Sequence, residues 1–173
     1  MPTYSRILVS ALVFGASAAC SRGSAQTTPA RGAAPRDTAF AAMQARGQMA
    51  MGVDQYTSTH RFDALPDGGR IELLRNVTDT LGIRQIRAHL RLIEHAFQAG
   101  DFSTPEFVHL QKMPGTAVMA QKKDVIVYRY RELPRGGEVR MTTSDADALA
   151  AIHAFMGAQR GEHHAGGEGM AGH

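Results

Sequence analysis

The 173-residue sequence contains one cysteine and no tryptophan, and aromatic residues make up only 6% of it. A single cysteine excludes an intrachain disulfide and a zinc site built from cysteines. The shortage of aromatic side chains argues against the stacking surfaces that bind single-stranded nucleic acid. The net charge is only +3 and the basic residues are scattered, so we expect no nucleic-acid partner.

Several catalytic motifs are also missing. The sequence has no HExxH zinc motif, no glycine-rich phosphate loop and no pair of acidic residues at a catalytic spacing. No residue is marked as a nucleophile by its neighbours. We therefore predict that the chain is not an enzyme.

The amino-terminal residues have the build of a secretory leader. Their apolar segment, residues 7–19, is too short to span a membrane comfortably. Cys20 follows Ser-Ala-Ala, as in a bacterial lipobox, although Ser17 stands where leucine is usual. We predict a signal peptide over residues 1–19. A lipid on Cys20 is expected to anchor the chain to a membrane of the cell envelope. Ser21, directly after the cysteine, favours the outer membrane over the inner one. Cleavage without lipidation is the alternative, and export to the periplasm follows in either case.

One unit occurs twice in the rest of the chain, in residues 57–100 and 124–163. The segment LPDGG at residues 65–69 matches LPRGG at residues 133–137, and each lies between two segments that alternate in the manner of strands. An amphipathic helix follows each hairpin, and the two helices align after a slip of two residues. The pattern predicts one strand–turn–strand–helix unit, made twice.

The repeat predicts an α+β domain over residues 37–164. We expect two ββα units that form a four-stranded antiparallel sheet with two helices on one face, related by a pseudo-twofold axis. Asn76 and Ser144 are the predicted N-caps of the two helices, since each stands three residues before an acidic residue. Alternation along the first strand directs His60 and Phe62 towards the helices.

The remaining segments are simpler. Residues 37–51 predict an N-terminal helix that is interrupted at Gly47. Residues 20–36 are rich in small and polar residues and predict a flexible tether, and residues 165–173 predict a disordered tail. The connection over residues 102–124 is the least regular part of the domain, and long ordered loops are often functional.

Histidine and methionine are the residues from which a site could be built. The chain has eight histidines and nine methionines. Imidazole and thioether groups suit copper, and imidazole also suits other transition metals. The candidate metal ligands are His60, His89, His109, Met113 and His163. The alternatives are a satisfied core histidine for His60 and a boundary histidine bonded to a backbone carbonyl for His89. For His109 and Met113 they are an exposed histidine and a core methionine, and for His163 a place in a disordered tail. We expect His95 and His153 to be solvated.

These features predict a small exported binding module, held at the membrane by its lipid, that binds copper or another transition metal through histidine and methionine. The alternative is a non-catalytic structural or accessory subunit of a larger periplasmic or membrane-associated complex. In that case the partner would contact either the polar face of the sheet or the exposed side of the first amphipathic helix, which carries Leu92 and arginines.

The chain also resembles an uncharacterised family of small exported bacterial proteins. The resemblance covers about residues 48–164 and is carried by MGVDQ (51–55), THRF (59–62), IRAHL (86–90), GDF (100–102), His109, PG (114–115) and AIHAF (151–155). Members of that family usually carry two adjacent histidines in the strand motif, and here the second is Arg61. The resemblance implies export and no established activity. Some members carry an aspartate carbamoyltransferase label, but residues 58–61 lack the phosphate-binding loop of that enzyme.

Overall fold

The computed structural model describes residues 35–163, which belong to one compact unit. The predicted leader, Cys20, most of the predicted tether and the C-terminal tail lie outside the described residues. The helices are α1 Pro35–Met51, α2 Thr80–Ala99, α3 Ser103–His109, α4 Thr116–Gln121 and α5 Ala146–Glu162. The strands are β1 Ser58–Leu65, β2 Gly68–Arg75, β3 Val127–Leu133 and β4 Gly136–Thr142. Short 3-10 turns at Gln55–Thr57 and Lys123–Val125 lead into β1 and β3.

The strands form one antiparallel sheet in the order β1-β2-β4-β3. This confirms the predicted α+β fold with two ββα units. Ile71 and Val139 hold the same position in the two copies, and they also lie directly opposite each other in the ladder between β2 and β4. The pseudo-twofold axis therefore passes between these two residues.

The two helices exchange places across the axis. Helix α2 packs mainly on β3 and β4, and α5 packs on β1 and β2. Each copy therefore covers the hairpin of the other copy, and neither ββα unit could close a core alone. The predicted stripe of α2 is buried as expected, with Ile86 and Leu90 fully inaccessible, and Ile152 and Met156 of α5 match them.

Helix side chains cap both exposed edges of the sheet. On the β1 edge, Arg160 donates two hydrogen bonds to the carbonyl oxygen of Phe62, at 3.1 and 2.9 Å. On the β3 edge, Glu94 accepts the backbone N–H of Tyr130 at 2.9 Å. Residues 94 and 160 are equivalent in the aligned helices. Glu94 accepts a hydrogen bond from the edge strand, whereas Arg160 donates to it. Unpaired edge groups favour pairing with other chains, and these contacts occupy them.

His153 belongs to the same arrangement. Its Nε2–H donates to the carbonyl oxygen of Leu65 at 2.8 Å, and the side chain is half-buried. The equivalent residue of α2, Arg87, donates to the equivalent carbonyl of Leu133 at 2.8 Å. The expectation that His153 is solvated was wrong, because the β1 edge approaches this face of α5.

The predicted N-caps were also wrong. Asp79 caps α2 and Asp145 caps α5, each through hydrogen bonds from backbone N–H groups of the first turn. Asn76 instead accepts a hydrogen bond from the Thr59 hydroxyl at 2.6 Å, and Ser144 precedes the cap of α5. The two aspartates are related by the same two-residue slip that aligns the helices. An aspartate at this position also complements the positive end of the helix dipole.

Glycine matters most at the turns and in α1. A Cβ on Gly136 would lie 1.9 Å from the carbonyl oxygen of Leu73, and one on Gly68 would lie 2.0 Å from that of Met141. These two equivalent glycines therefore let the central strands approach, and only Gly68 of the pair has a positive φ. Gly47 does not interrupt the N-terminal helix, which continues to Met51, so that prediction was wrong.

The face of the sheet opposite the helices carries charged side chains. Glu72 and Glu138 lie opposite each other in the central ladder and are only 8% and 5% exposed. Arg61 flanks Glu72 at 3.8 Å and Arg131 flanks Glu138 at 3.0 Å. Arg129, on the same face, is exposed. Within residues 35–163, no helix is long and apolar enough to cross a membrane.

Candidate ligand site

A cavity of about 80 Å³ lies between the sheet, α1, α2, α3 and the end of α5. Four imidazoles line it: His60 on β1, His89 on α2, His109 at the end of α3 and His163 just after α5. We call this cavity the histidine pocket. It brings together every histidine among the predicted ligands, from four separate parts of the chain. The rest of its lining is mostly apolar.

The predicted sulfur ligand lies elsewhere. Met113 is 3% exposed, belongs to the hydrophobic core and does not line the histidine pocket. Another methionine, Met51 at the end of α1, does line it. The sequence spacing of His109 and Met113 had suggested a pair, but the left-handed conformation of Leu110 turns the chain between them.

The imidazole rings contact one another in the pocket. The ring centroids of His60 and His163 are 5.3 Å apart and the rings are nearly parallel, with 9° between their planes. The ring of His109 meets His163 edge-on, with a centroid distance of 5.0 Å. Phe62 lies 5.3 Å from His163 and completes the ring cluster.

The pseudo-symmetry shows what is unusual about these histidines. The aligned hairpins and helices relate His60 to Tyr128, His89 to Phe155 and His163 to Phe97. In the second half of the core, the ring of Phe97 lies 6.1 Å from Tyr128 and 5.8 Å from Phe155. One framework therefore holds three aromatic rings on one side of the axis and three imidazoles on the other.

An imidazole is smaller than a phenyl or phenol ring, so the exchange leaves less side-chain volume on this side of the axis. Phe97 and Phe155 also line the cavity, and so do residues of α1 and α3, which have no counterpart in the repeat. The imidazoles also place polar ring nitrogens where the other half of the core has only aromatic side chains, and His89 hydrogen-bonds to the backbone of Ala50 there. Tyr128, Phe155 and Phe97 are each about 1% exposed, whereas all three imidazoles are partly accessible.

Burial keeps two of the imidazoles neutral. Loss of solvation lowers the pKa of His60 to about 4, and repulsion from His89 acts in the same direction. Loss of solvation likewise lowers the pKa of His89 to about 4, against the effect of a hydrogen bond with the backbone of Ala50. A neutral imidazole carries a lone pair on one nitrogen, which is the form that accepts a hydrogen bond or binds a metal.

His109 has a different role because α5 uses both of its nitrogens. Its Nδ1 faces a carboxylate oxygen of Glu162, and its Nε2 lies 3.2 Å from the amide oxygen of Gln159. The side chain is 1% exposed. Glu162 also accepts a hydrogen bond from the Gln111 amide at 2.7 Å. His109 therefore joins α3 to α5 and forms a wall of the pocket.

Gln55 lines the pocket and escaped the sequence reasoning. It is 7% exposed, and its Oε1 is buried without a hydrogen-bond partner among the described residues. A buried amide oxygen is normally bonded, so this atom needs an explanation. No local pattern marks Gln55, because its environment is created by the turn that leads into β1.

The pocket is not a preformed site in which three imidazole, thiolate or carboxylate ligands of the described residues hold a metal ion. Within residues 35–163, no three histidine, cysteine, aspartate or glutamate side chains are arranged to hold one.

No family model, no curated protein and no solved structure matches this chain. The family resemblance therefore stays a prediction. The fold and site define a duplicated ββα domain with one aromatic half and one histidine half.

Proposed function

We propose that the chain is a small binding module of the cell envelope that takes up a transition-metal ion, copper in its reduced state, in the histidine pocket. The leader over residues 1–19 would export it, and a lipid on Cys20 would hold it at the membrane. The observation that carries this proposal is the replacement of three core aromatic rings by His60, His89 and His163.

The donor atoms favour Cu(I) over the more highly coordinated ions. Neutral imidazoles and a thioether are the ligands that this soft ion prefers, and Cu(I) accepts as few as two or three of them. His60 and Met51 supply one of each kind in the pocket. Two imidazoles bound to one ion at metal–nitrogen distances of about 2 Å have ring centroids roughly 5–6 Å apart, depending on the angle at the metal. The 5.3 Å between the ring centroids of His60 and His163 lies in this range, and the two nearly parallel rings would have to turn to direct a nitrogen each at one ion.

The test is a Cu(I) titration of the untagged protein under reducing conditions, in competition with a chromophoric chelator. We expect one ion per chain for the wild type and a loss of at least tenfold in affinity for His60→Phe and for His89→Phe. His95→Phe is the matched control, because His95 is exposed on α2 and outside the pocket. A variant without the tail histidines His164 and His173 should bind as the wild type does. Binding that survives His60→Phe, or that disappears with the tail histidines, would refute the proposal.

A second candidate function is that of an accessory subunit. The charged sheet face supports it, because Arg61, Arg129 and Arg131 are exposed in one plane around the buried pair Glu72 and Glu138. Such a face fits an acidic protein partner. Crosslinking of the full chain in intact cells should then give one defined adduct that Arg129→Glu abolishes, while Cu(I) binding stays unchanged. An adduct that persists in Arg129→Glu would count against this candidate.

A further inference from the structure

A second cavity shares His109 as a wall with the histidine pocket. It lies between α1 and the end of α5 and has a volume of about 310 Å³. We call it the Arg46 cavity. Ligand sites in proteins have volumes of about 300–1,000 Å³, and an apolar cavity of about 150 Å³ holds benzene. The Arg46 cavity therefore has room for a molecule somewhat larger than benzene.

Arg46 lines this cavity as a cation that has no ion pair within residues 35–163. Its Nε–H donates to the carbonyl oxygen of Val108 at 2.7 Å, which holds the guanidinium group between α1 and α3. Its terminal nitrogens make no hydrogen bond to another described residue, and the side chain is half-buried rather than enclosed. A guanidinium group stays charged and presents paired N–H donors, which match the two oxygens of a carboxylate.

Glu162 brings a negative charge to the same cavity. Its carboxylate oxygens face Nδ1 of His109 and accept a hydrogen bond from the Gln111 amide, and 35% of the side chain remains exposed. Glu162 and Arg46 form no ion pair with each other, although both line the cavity. Two opposite charges therefore border one small space without neutralising each other.

The remaining lining is apolar or small. It consists of Ala39, Phe40 and Met43 of α1 and Gly161 at the end of α5, together with His109. The cavity thus combines a positive group, a negative group and an apolar wall. A ligand with a single charge would be attracted by one of the two charged groups and repelled by the other, whereas a zwitterion is attracted by both.

We propose that the Arg46 cavity binds a free α-amino acid with an apolar side chain. The carboxylate of the ligand accepts hydrogen bonds from the terminal N–H groups of Arg46, its ammonium group lies towards Glu162, and its side chain packs against Phe40 and Met43. This site is separate from the histidine pocket, and the inference does not depend on metal uptake there.

Three compounds with the same branched carbon chain test the two charges separately. Leucine carries both charges, 4-methylpentanoate carries only the carboxylate, and isopentylamine carries only the ammonium group. Each is titrated into the full chain, and binding is followed by the backbone NMR signals of α1 and α5. Leucine should bind at least tenfold more tightly than either compound with a single charge.

Variants at the two charged residues identify the site. Arg46→Met removes the positive charge and keeps an unbranched side chain, so leucine should then bind no more tightly than isopentylamine. Arg84→Met is the matched control, since Arg84 is exposed on α2 and lies outside the cavity, and it should keep the leucine preference. Glu162→Gln keeps the size of the side chain and tests the other end even if Arg46→Met fails to fold. Leucine should then bind no more tightly than 4-methylpentanoate.

Equal affinity of the wild type for the three compounds, a leucine preference that survives Arg46→Met, or no binding of leucine would each overturn this inference. The outcome is separable from that of the metal proposal because His60 does not line the Arg46 cavity and Arg46 does not line the histidine pocket. His60→Phe should weaken Cu(I) binding and leave leucine binding unchanged, whereas Arg46→Met should do the reverse. Leucine binding without Cu(I) uptake refutes only the metal, and Cu(I) uptake without leucine binding refutes only the amino-acid site.

Discussion

Acidification should destabilise this fold because His60 and His89 are held neutral in the folded state. Burial lowers the pKa of each from 6.5 to about 4. Between these two values the unfolded chain binds more protons than the folded chain does. Stability is therefore complete above about pH 6.5 and is lost progressively as the pH falls towards 4.

The size of the effect follows from the two pKa values. One unit of pKa corresponds to about 1.4 kcal/mol, so the fall to about 4 amounts to about 3 kcal/mol for each histidine. Where the unfolded chain binds two more protons than the folded chain, the free energy of unfolding changes by about 2.7 kcal/mol per pH unit. A small domain is stable by about 5–15 kcal/mol in total, so the loss from both histidines is a large share of it.

The assay is urea denaturation followed by far-ultraviolet circular dichroism at about pH 7.5, 6.5, 5.5 and 4.5. The comparison is with His60→Phe/His89→Phe, which converts two positions of the histidine half to the chemistry of the aromatic half. The difference between the free energies of unfolding of the two proteins at each pH gives the contribution of the two histidines, because carboxylates that titrate in the same acid range are present in both proteins. His95→Phe is the control and should keep the wild-type slope.

The double variant should lose most of the pH dependence above pH 4.5, and it should be at least as stable as the wild type at pH 7.5 because the larger rings fill the cavity. Equal slopes in the wild type and the double variant would refute the reasoning. So would a wild type that becomes more stable as the pH falls from 6.5 to 4.5, since that requires histidines that are charged in the folded state.

Two further predictions concern the framework. Arg160→Ala should lower the free energy of unfolding by about 1–3 kcal/mol in urea and raise light scattering at high concentration, because it leaves the buried carbonyl of Phe62 on the β1 edge unpaired; unchanged stability would contradict it. Gly136→Ala should lower the free energy of unfolding by more than about 3 kcal/mol, because its Cβ meets the backbone oxygen of Leu73. Gly157→Ala meets nothing within 4 Å and should raise the free energy of unfolding by about 0.5–1 kcal/mol in the same assay. Similar effects of the two changes would contradict the close approach of the strands.

The duplicated fold could be predicted because its signals are local and occur twice. Alternation along the strands, the LPxGG turns and the helical stripe ending in Phe97 each depend on a few neighbouring residues. The helix boundaries were less predictable. Asn76 and Asp79 are both good capping residues; Asp79 caps α2, whereas Asn76 accepts a hydrogen bond from Thr59 of the neighbouring strand β1.

The candidate site could be predicted only in part. Histidine chemistry singled out His60, His89, His109 and His163, and all four line one pocket. Their roles could not be read from the sequence. His109 contacts Glu162 and Gln159 of α5 through its two ring nitrogens. The Gln55 amide lies against Gly47 of α1, where a Cβ would be only 1.7 Å from the amide nitrogen. These contacts join residues that are far apart in the chain, so no local pattern encodes them.

The sequence by itself determined the two ββα units, their polar and apolar faces and the direction of His60, because backbone periodicity and turn chemistry act over a few residues. Only the tertiary structure decided that each helix lies on the hairpin of the other copy. The assembled core also brings His60, His89, His109 and His163 from four parts of the chain into one pocket. Packing between distant elements creates such a cavity, and its shape is therefore a property of the assembled core.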